Sequence, residues 1–324
     1  MLSAFVLRKE GLARLEAPSD DALEAALWID LVDPTAEEEK RVEALLKIDI
    51  PTREEMREIE ASNRFYEDNG ALFLTATLVT KLDTDLPEST QVTFIFAGGK
   101  LVTNRYTDPL PFRRYITYAQ THPATCGSSV SILVGLLESI VNRIADVLER
   151  VGSELDSISA EVFAVQRHKR RRATRDFRLV LARVGQNGEL VSKARESLVS
   201  LGRLLVFVQQ SANGQIPQEG RSRFRNVSRD LVALSDHASY LGDKVSFSLE
   251  ATLGMVSIDQ NNILKIFSLI TVFLLPPTVI GAFYGMNFAN IPWLRESWGW
   301  EVALVMMGIS AVLPYFIFKR RGWL

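Results

Sequence analysis

"SIDQNNILKIFSLITVFLLPPTVIGAFYGMNF", residues 257–288, decides the architecture. From Ile266 to Tyr284 it carries no charged side chain. At 1.5 Å per residue that run makes about 28 Å of helix, close to the roughly 30 Å of a bilayer's hydrocarbon. It stops on Gly285-Met286-Asn287, a glycine and an amide where a charged flank would be ordinary. A second run, "VALVMMGISAVLPYFIF" at 302–318, is shorter, but Trp298 and Trp300 before it and Trp323 after it suit a membrane interface. The alternative is a buried helical hairpin in a soluble protein. Two uncharged runs with aromatic and basic flanks argue instead for two transmembrane helices.

Lys319-Arg320-Arg321 follow the second run at once, Lys265 precedes the first, and the loop at 285–299 holds only Arg295 and Glu296 as charges. The positive-inside rule therefore places the tail in the cytoplasm and the loop outside. With an even number of spans, residues 1–260 are expected in the cytoplasm too, and the chain in the cytoplasmic (inner) membrane. Composition agrees. The 324 residues are 23% charged with a net charge of −2, and nearly all of that charge precedes residue 260. The opening "MLSAFVLRKEGLARLE" lacks a basic segment followed by an apolar core, so no cleaved signal is expected. Cys126, the lone cysteine, excludes an internal disulfide and fits a reducing compartment. His122, His168 and His237 have no zinc-like spacing. Neither a basic excess nor a nucleic-acid module is present, so no nucleic-acid partner is expected.

The first hundred residues predict a mixed α/β domain. Strand-like runs occur at 3–7, 28–32, 71–80, 92–98 and 100–106, with Gly98-Gly99 as a hairpin signal between the last two. Thr35 with Glu38 and Thr52 with Glu55 have the spacing of capping boxes, each predicting a helix start. From about residue 128 long amphipathic helices are expected, one from Ser129 to about Val165 and another from Ala173 to about Val208. "QSANGQIPQEG" (210–220) breaks the pattern. Beyond it a proline-free stretch runs into the first span, predicting one helix of roughly 60 residues, or about 90 Å. The resulting division is 1–127 α/β domain, 128–264 helical and stalk region, and 265–284 first span. The external loop (285–299), second span (300–318) and basic tail (319–324) complete it. The run "RHKRRR" at 167–172 reads as a solvated bend, with lipid phosphates or the tail of a neighbouring copy as the alternative partners.

Steps of seven along the long helix meet Asp236, Asp243, Glu250, Ser257, Leu264, Thr271, Thr278 and Gly285. Intermediate steps on the same side add Gly254, Asn261, Ser268, Leu275 and Ala282. The stripe is acidic below the membrane and small or hydroxylated within it, interrupted by Leu264 and Leu275. Hydrocarbon offers polar groups no partner, so Ser268, Thr271 and Thr278 must face another helix, bond back to carbonyls, or face water. Continuity with Asn261 and the carboxylates favours a water-filled path. Two helices cannot enclose a pore, so several identical chains must each supply a stripe. Pro276-Pro277 removes two backbone donors mid-span, which predicts a kink or a hinge. No catalytic pairing or cofactor motif emerges, so an enzyme is not expected.

Phe283-Tyr284-Gly285-Met286-Asn287-Phe288, ending the first of two C-terminal spans, resembles the signature of the CorA family of divalent-cation transporters. The likeness extends through 257–288, through "WIDLVDPTAEE" (28–38) and 51–79, and into "FKRRGWL" (318–324); 128–225 matches only in helical character. The resemblance implies an α+β chain assembled as a homopentameric funnel, its stalk helix becoming the pore-lining span. It implies a selectivity filter at Gly285, Met286 and Asn287. It also implies pore positions at Asn261 and Thr278, with Leu264 and Leu275 at apolar constrictions. Mg²⁺ is the implied cargo, and cytoplasmic Mg²⁺ bound between subunits the implied closing signal. Asp236, Asp243 and Glu250 could bind that Mg²⁺ or concentrate cations, or simply form a solvated face. No other cofactor is implied, and the implied partners are the bilayer and divalent metal ions.

The external loop departs from the family. Many members carry acidic residues where this chain has Ala289 and Trp293, leaving Glu296 alone to attract cations. A zinc-transporting branch of the superfamily, proton-coupled or not, is therefore an alternative, with Ni²⁺ and Co²⁺ as further passengers. The stripe holds none of the His or Cys ligands that Zn²⁺ prefers. A non-conducting scaffold is the alternative of another class, and intact Asn261, Thr278 and Gly285-Met286-Asn287 speak against it.

Overall fold

The computed structural model describes residues 1–82, 84, 87–163, 177–211, 218–287, 291–293 and 296–321. The basic run 167–172, Phe288, Ala289, Arg295 and Trp323 lie outside the described residues. The chain divides into two units, Met1–Glu250 and Ala251–Leu324.

The first unit is built on a seven-stranded sheet. Its strands are β1 (Leu2–Arg8), β2 (Gly11–Glu16), β3 (Trp28–Val32), β4 (Phe65–Asp68), β5 (Ala71–Thr80), β6 (Glu88–Ala97) and β7 (Lys100–Arg105). Their order is β2-β1-β3-β7-β6-β5-β4, with β3 and β7 parallel and the other neighbours antiparallel. Gly98 and Gly99, at φ 57° and 77°, close the β6–β7 hairpin in the left-handed conformations that such two-residue turns require. Side chains alternate across the sheet. Leu2, Ala4, Ile29, Leu31, Phe73, Ile95 and Val102 join Leu23 of α1 (Asp20–Ala25) and Val42 of α2 (Ala36–Leu46) in one core. On the other face Trp28 stacks on Phe5 and meets Tyr115 of α4 (Leu110–Ala119), and Phe94 stacks on Phe112.

Both halves of the Thr35 capping box are formed. Glu38 also accepts the Leu2 N–H at 2.8 Å and bonds the Met1 amino group at 2.8 Å. Desolvation opposes its ionisation, but bonds from the Met1 amino group and the Thr35 and Leu2 N–H groups hold Glu38 below the usual carboxylate range. A carboxylate depressed in the folded state stabilises above its unfolded pKa, and that contribution is lost as pH falls through the folded value. Glu38→Gln is therefore expected to lower Tm at pH 7, by a margin that shrinks as the pH is taken below the ordinary glutamate range. A Tm difference that persists unchanged at the lower pH would remove the carboxylate from the account.

The second capping box differs from expectation. Thr52 and Glu55 make the reciprocal bonds, yet only a three-residue 3-10 turn, Glu55–Arg57, follows. Capping satisfies orphan donors but does not propagate a helix. "TREEMREIE" offers only Met56 to the core, while Ile59 is 85% exposed, so no apolar face draws further turns into place. The short α3 (Ala61–Arg64) then leads into β4.

Two 35-residue helices, α5 (Ser129–Phe163) and α6 (Phe177–Ser211), pack beside the sheet. β4 pairs with only the first part of β5, and Ser200 of α6 accepts the Thr77 N–H at 2.9 Å on the edge left beyond it. Tyr115 is buried between sheet and helices, where its ring occupies the space that a side chain at Gly135 would need. Its hydroxyl has no hydrogen-bond partner among the described residues, and burial pushes its ionisation far up. Tyr115→Phe removes that stranded group and is expected to stabilise the fold by about 1 kcal/mol. Thermal unfolding checks this, and a lower Tm would mean that the hydroxyl is satisfied in solution.

The last helices are α7 (Gln218–Tyr284) and α8 (Gly299–Arg320). In the first unit, α7 buries Phe224, Val227, Leu231, Ala238, Leu241 and Ser248, the alternating three-and-four spacing of a helix with one apolar stripe. Arg223 forks onto Glu138 at 3.1 and 2.6 Å, and Lys244 bonds Asp156 at 2.7 Å, fastening this part of α7 to α5. In the second unit α7 and α8 pack antiparallel. Phe273 meets Phe318 edge-on at 6.4 Å, and a side chain at Gly281 would lie 3.1 Å from the Met307 methyl.

Candidate functional site

Both α7 and α8 are long and apolar enough to cross a membrane. None of the apolar window of α7 and only 11% of that of α8 is buried within the chain. A soluble hairpin would hide these faces in a core; here they await lipid or other copies.

At 100° per residue, Asn261, Leu264, Ser268, Thr271, Leu275 and Thr278 share an arc of roughly 100° on α7. All six are exposed in the single chain. Thr271 Oγ1 donates to the Phe267 carbonyl at 2.9 Å, and Thr278 Oγ1 donates to that of Leu274. Each hydroxyl thus gives its proton to its own helix and keeps oxygen lone pairs as acceptors, the polarity that suits a cation path. Pro276 and Pro277 sit inside α7, so the carbonyls of Val272 and Phe273 have no N–H donor one turn on.

The helix ends at Tyr284. Gly285 N–H still donates to Gly281 O at 3.0 Å, and Met286 N–H to Phe283 O at 3.3 Å, after which the backbone leaves helical geometry. Gly285 does not stand in the left-handed region that glycine alone favours. Its want of a side chain matters for approach: a Cβ would lie 3.3 Å from Gly281 O. Met286 and Asn287 are exposed beyond it. At Gly285 the helix frays rather than closing in a left-handed glycine turn.

Asp236, Asp243 and Glu250 belong to the first unit and are all exposed. They share an arc of roughly 40°, but seven residues of helix separate neighbours by about 10.5 Å, too far for one Mg²⁺ whose ligands lie near 2.1 Å. Among the described residues no group of three or more His, Cys, Asp or Glu side chains could hold a metal. Within one chain the three carboxylates therefore do not converge on a single ion.

Sequence reading missed the most buried ion pair among the described residues of the first unit. Asp30 of β3 and Arg105 of β7 pair with side chains 1% and 3% exposed. Burial opposes the Arg105 charge, and Asp30 and Asp108 more than restore it, raising its pKa. Arg105 lies over the ring of Phe112 in α4, so the pair belongs to the interior of the sheet domain.

Residues 24–320 match the family described as CorA-like Mg²⁺ transporter protein. The magnesium transport protein CorA of Yersinia pseudotuberculosis is 34% identical over 324 residues, all of both chains, and that of Escherichia coli K12 is 33% identical over the same span. The complete structure of the CorA magnesium transporter from Methanocaldococcus jannaschii superposes with a TM-score of 0.76 at 18% identity, covering 100% of this chain and 99% of that one. That last likeness speaks to fold alone; the full-length sequence matches carry the kinship. The chain belongs to the CorA-like Mg²⁺ transporter family.

Proposed function

We propose that the chain is the subunit of a Mg²⁺ channel of the cytoplasmic membrane, five copies placing their α7 stripes around one axis. The observation that carries this reading is the exposed polar arc from Asn261 to Thr278, which leads to Gly285, Met286 and Asn287 on a helix whose apolar surface the chain leaves uncovered. As a member of this family the chain is a transporter, not an enzyme. The reading assigns 1–127 and 128–264 to the cytoplasm, 265–284 and 300–318 to the bilayer, 285–299 to the outside and 319–324 to the cytoplasm. Exposed Lys319 and Arg320 at the end of α8 fit the cytoplasmic side.

Mg²⁺ gives up its inner waters reluctantly and holds them in tight octahedral geometry. A mouth that selects it can grip the hydrated ion through its outer shell. Asn287 amide oxygens and backbone carbonyls around Gly285 and Met286 supply neutral acceptors for that purpose. Carboxylates there would bind more tightly and slow release, whereas conduction needs weak sites. Asn261, Ser268, Thr271 and Thr278 then offer oxygens along the path, with Leu264 and Leu275 as apolar constrictions. A double charge crossing 100 mV gains about 4.6 kcal/mol, so an inside-negative potential suffices as the driving force. Asp236, Asp243 and Glu250, repeated around the axis, would gather cations below the pore or bind a regulatory Mg²⁺ between copies.

The test is ion flux into liposomes holding the purified chain and an indicator for Mg²⁺ or Zn²⁺, with and without an inside-negative potential and a pH gradient. Mg²⁺ influx driven by potential alone is expected. Zn²⁺ influx that depends on the pH gradient would move the chain to the zinc-transporting alternative, and no flux of either ion would leave it a scaffold.

A further inference from the structure

The loop between the spans carries an exposed aromatic pair that the transport reading does not use. The rings of Trp293 and Trp298 lie 6.3 Å apart with their planes at 38°. They are 47% and 45% exposed, and Trp300, in the first turn of α8, is 64% exposed. Trp293 stands at φ +62°, a left-handed conformation uncommon for a bulky side chain.

Successive turns hold it there. The Trp293 carbonyl accepts the Glu296 N–H at 3.2 Å, and the Glu296 carbonyl accepts that of Gly299 at 3.1 Å. The Trp298 carbonyl accepts those of Glu301 and Val302 at 3.1 and 3.3 Å. Trp293 is thereby tied to the N-terminal turn of α8, with its ring against Trp298. Beyond the pair, Val305, Ile309 and Val312 share the side of α8 that carries Trp298, at 100° per residue, and all three are exposed.

An indole has a broad apolar body and a single N–H donor, so it is most stable where acyl chains meet headgroups. The pair is continuous with the apolar surface of a span, and Glu296 is the one described acidic residue in the loop. We propose that Trp293 and Trp298 form an interfacial foot that docks on the outer leaflet at the boundary between headgroups and acyl chains. The foot pins the loop at its α8 end. It rests on α8 crossing the bilayer and is independent of which ion passes.

Intrinsic fluorescence of the full chain in lipid nanodiscs tests this. The difference between wild type and W293F isolates Trp293, because phenylalanine keeps an aromatic ring against Trp298 and the other tryptophans cancel. W300F gives the same difference for a residue of the span itself. Lipids brominated near the glycerol end are expected to quench the Trp293 signal about twofold more than lipids brominated at the chain ends, with aqueous iodide quenching it weakly. Strong iodide quenching without bromolipid quenching would place the pair in water at the pore mouth and overturn the proposal. Quenching by neither would place it against protein, with the same consequence. If the Trp300 signal also ignores bromolipid, the span itself fails, and the foot with it.

Discussion

Asn287→Ala is expected to lower Mg²⁺ influx by roughly two to three orders of magnitude while leaving the oligomer assembled. The side chain is exposed, beyond the end of α7, and no described contact of the fold rests on it. In the proposed ring of five copies, the substitution would remove five amide acceptors at once. At about 1 kcal/mol net for each hydrogen bond, the ion's outer shell loses about 5 kcal/mol. Water filling the widened mouth restores part of that, and a residual near 3–4 kcal/mol corresponds to the stated fall. Liposome flux measures the loss, and size-exclusion chromatography of the same sample reports assembly. Selective influx at the wild-type rate in an assembled variant would sink the filter assignment. Lost influx from a dissociated variant would make Asn287 a structural residue instead.

How much of this was legible from the chain depended on whether the physics was local. The strands at 28–32 and 71–80 are dense in Ile, Leu, Val and Phe, and the strand at 100–105 follows the Gly98-Gly99 turn, so all three could be read directly. β2, "GLARLE", and β4, "FYED", could not, because each is a short edge strand held by its neighbour's ladder. α4, "LPFRRYITYA", is rich in aromatic and β-branched residues that disfavour helix, and it is helical because Phe112 and Tyr115 are drawn into the core. The Thr52 box announced a helix that the core did not extend. The stripe on α7 was legible because helical period is a property of one segment. The proton direction of the Thr271 and Thr278 hydroxyls was not, since both back-bonding and solvent-facing arrangements were open to the sequence. Least legible was the Asp30–Arg105 pair, whose members are 75 residues apart and meet only because β3 and β7 are parallel neighbours.

That pair carries the second large effect: Asp30→Asn is expected to destabilise the first unit by about 3–5 kcal/mol. Arg105 grips Asp30 through Nε at 3.0 Å and Nη2 at 2.8 Å, and Thr103 Oγ1 donates to the same carboxylate at 2.6 Å. Trp28 Nε1 donates in turn to Thr103 Oγ1 at 2.9 Å, and the guanidinium lies 4.6 Å from the Phe112 ring centre. Asp108 is the other carboxylate bonded to Arg105, and it is half exposed. An amide at 30 therefore leaves a cation 3% exposed without its buried counter-charge, in a core that relaxation cannot readily hydrate. The loss corresponds to about a hundredfold to several thousandfold in the opening equilibrium. Hydrogen–deuterium exchange of the full chain reads it as faster exchange in peptides spanning β3 and β7. Replacing both partners by apolar residues, Asp30→Leu with Arg105→Met, should cost far less than Asp30→Asn alone, because no buried charge is stranded. Equal losses in the two variants would mean that packing of the side-chain volumes, rather than the stranded charge, sets the stability of this end of the sheet.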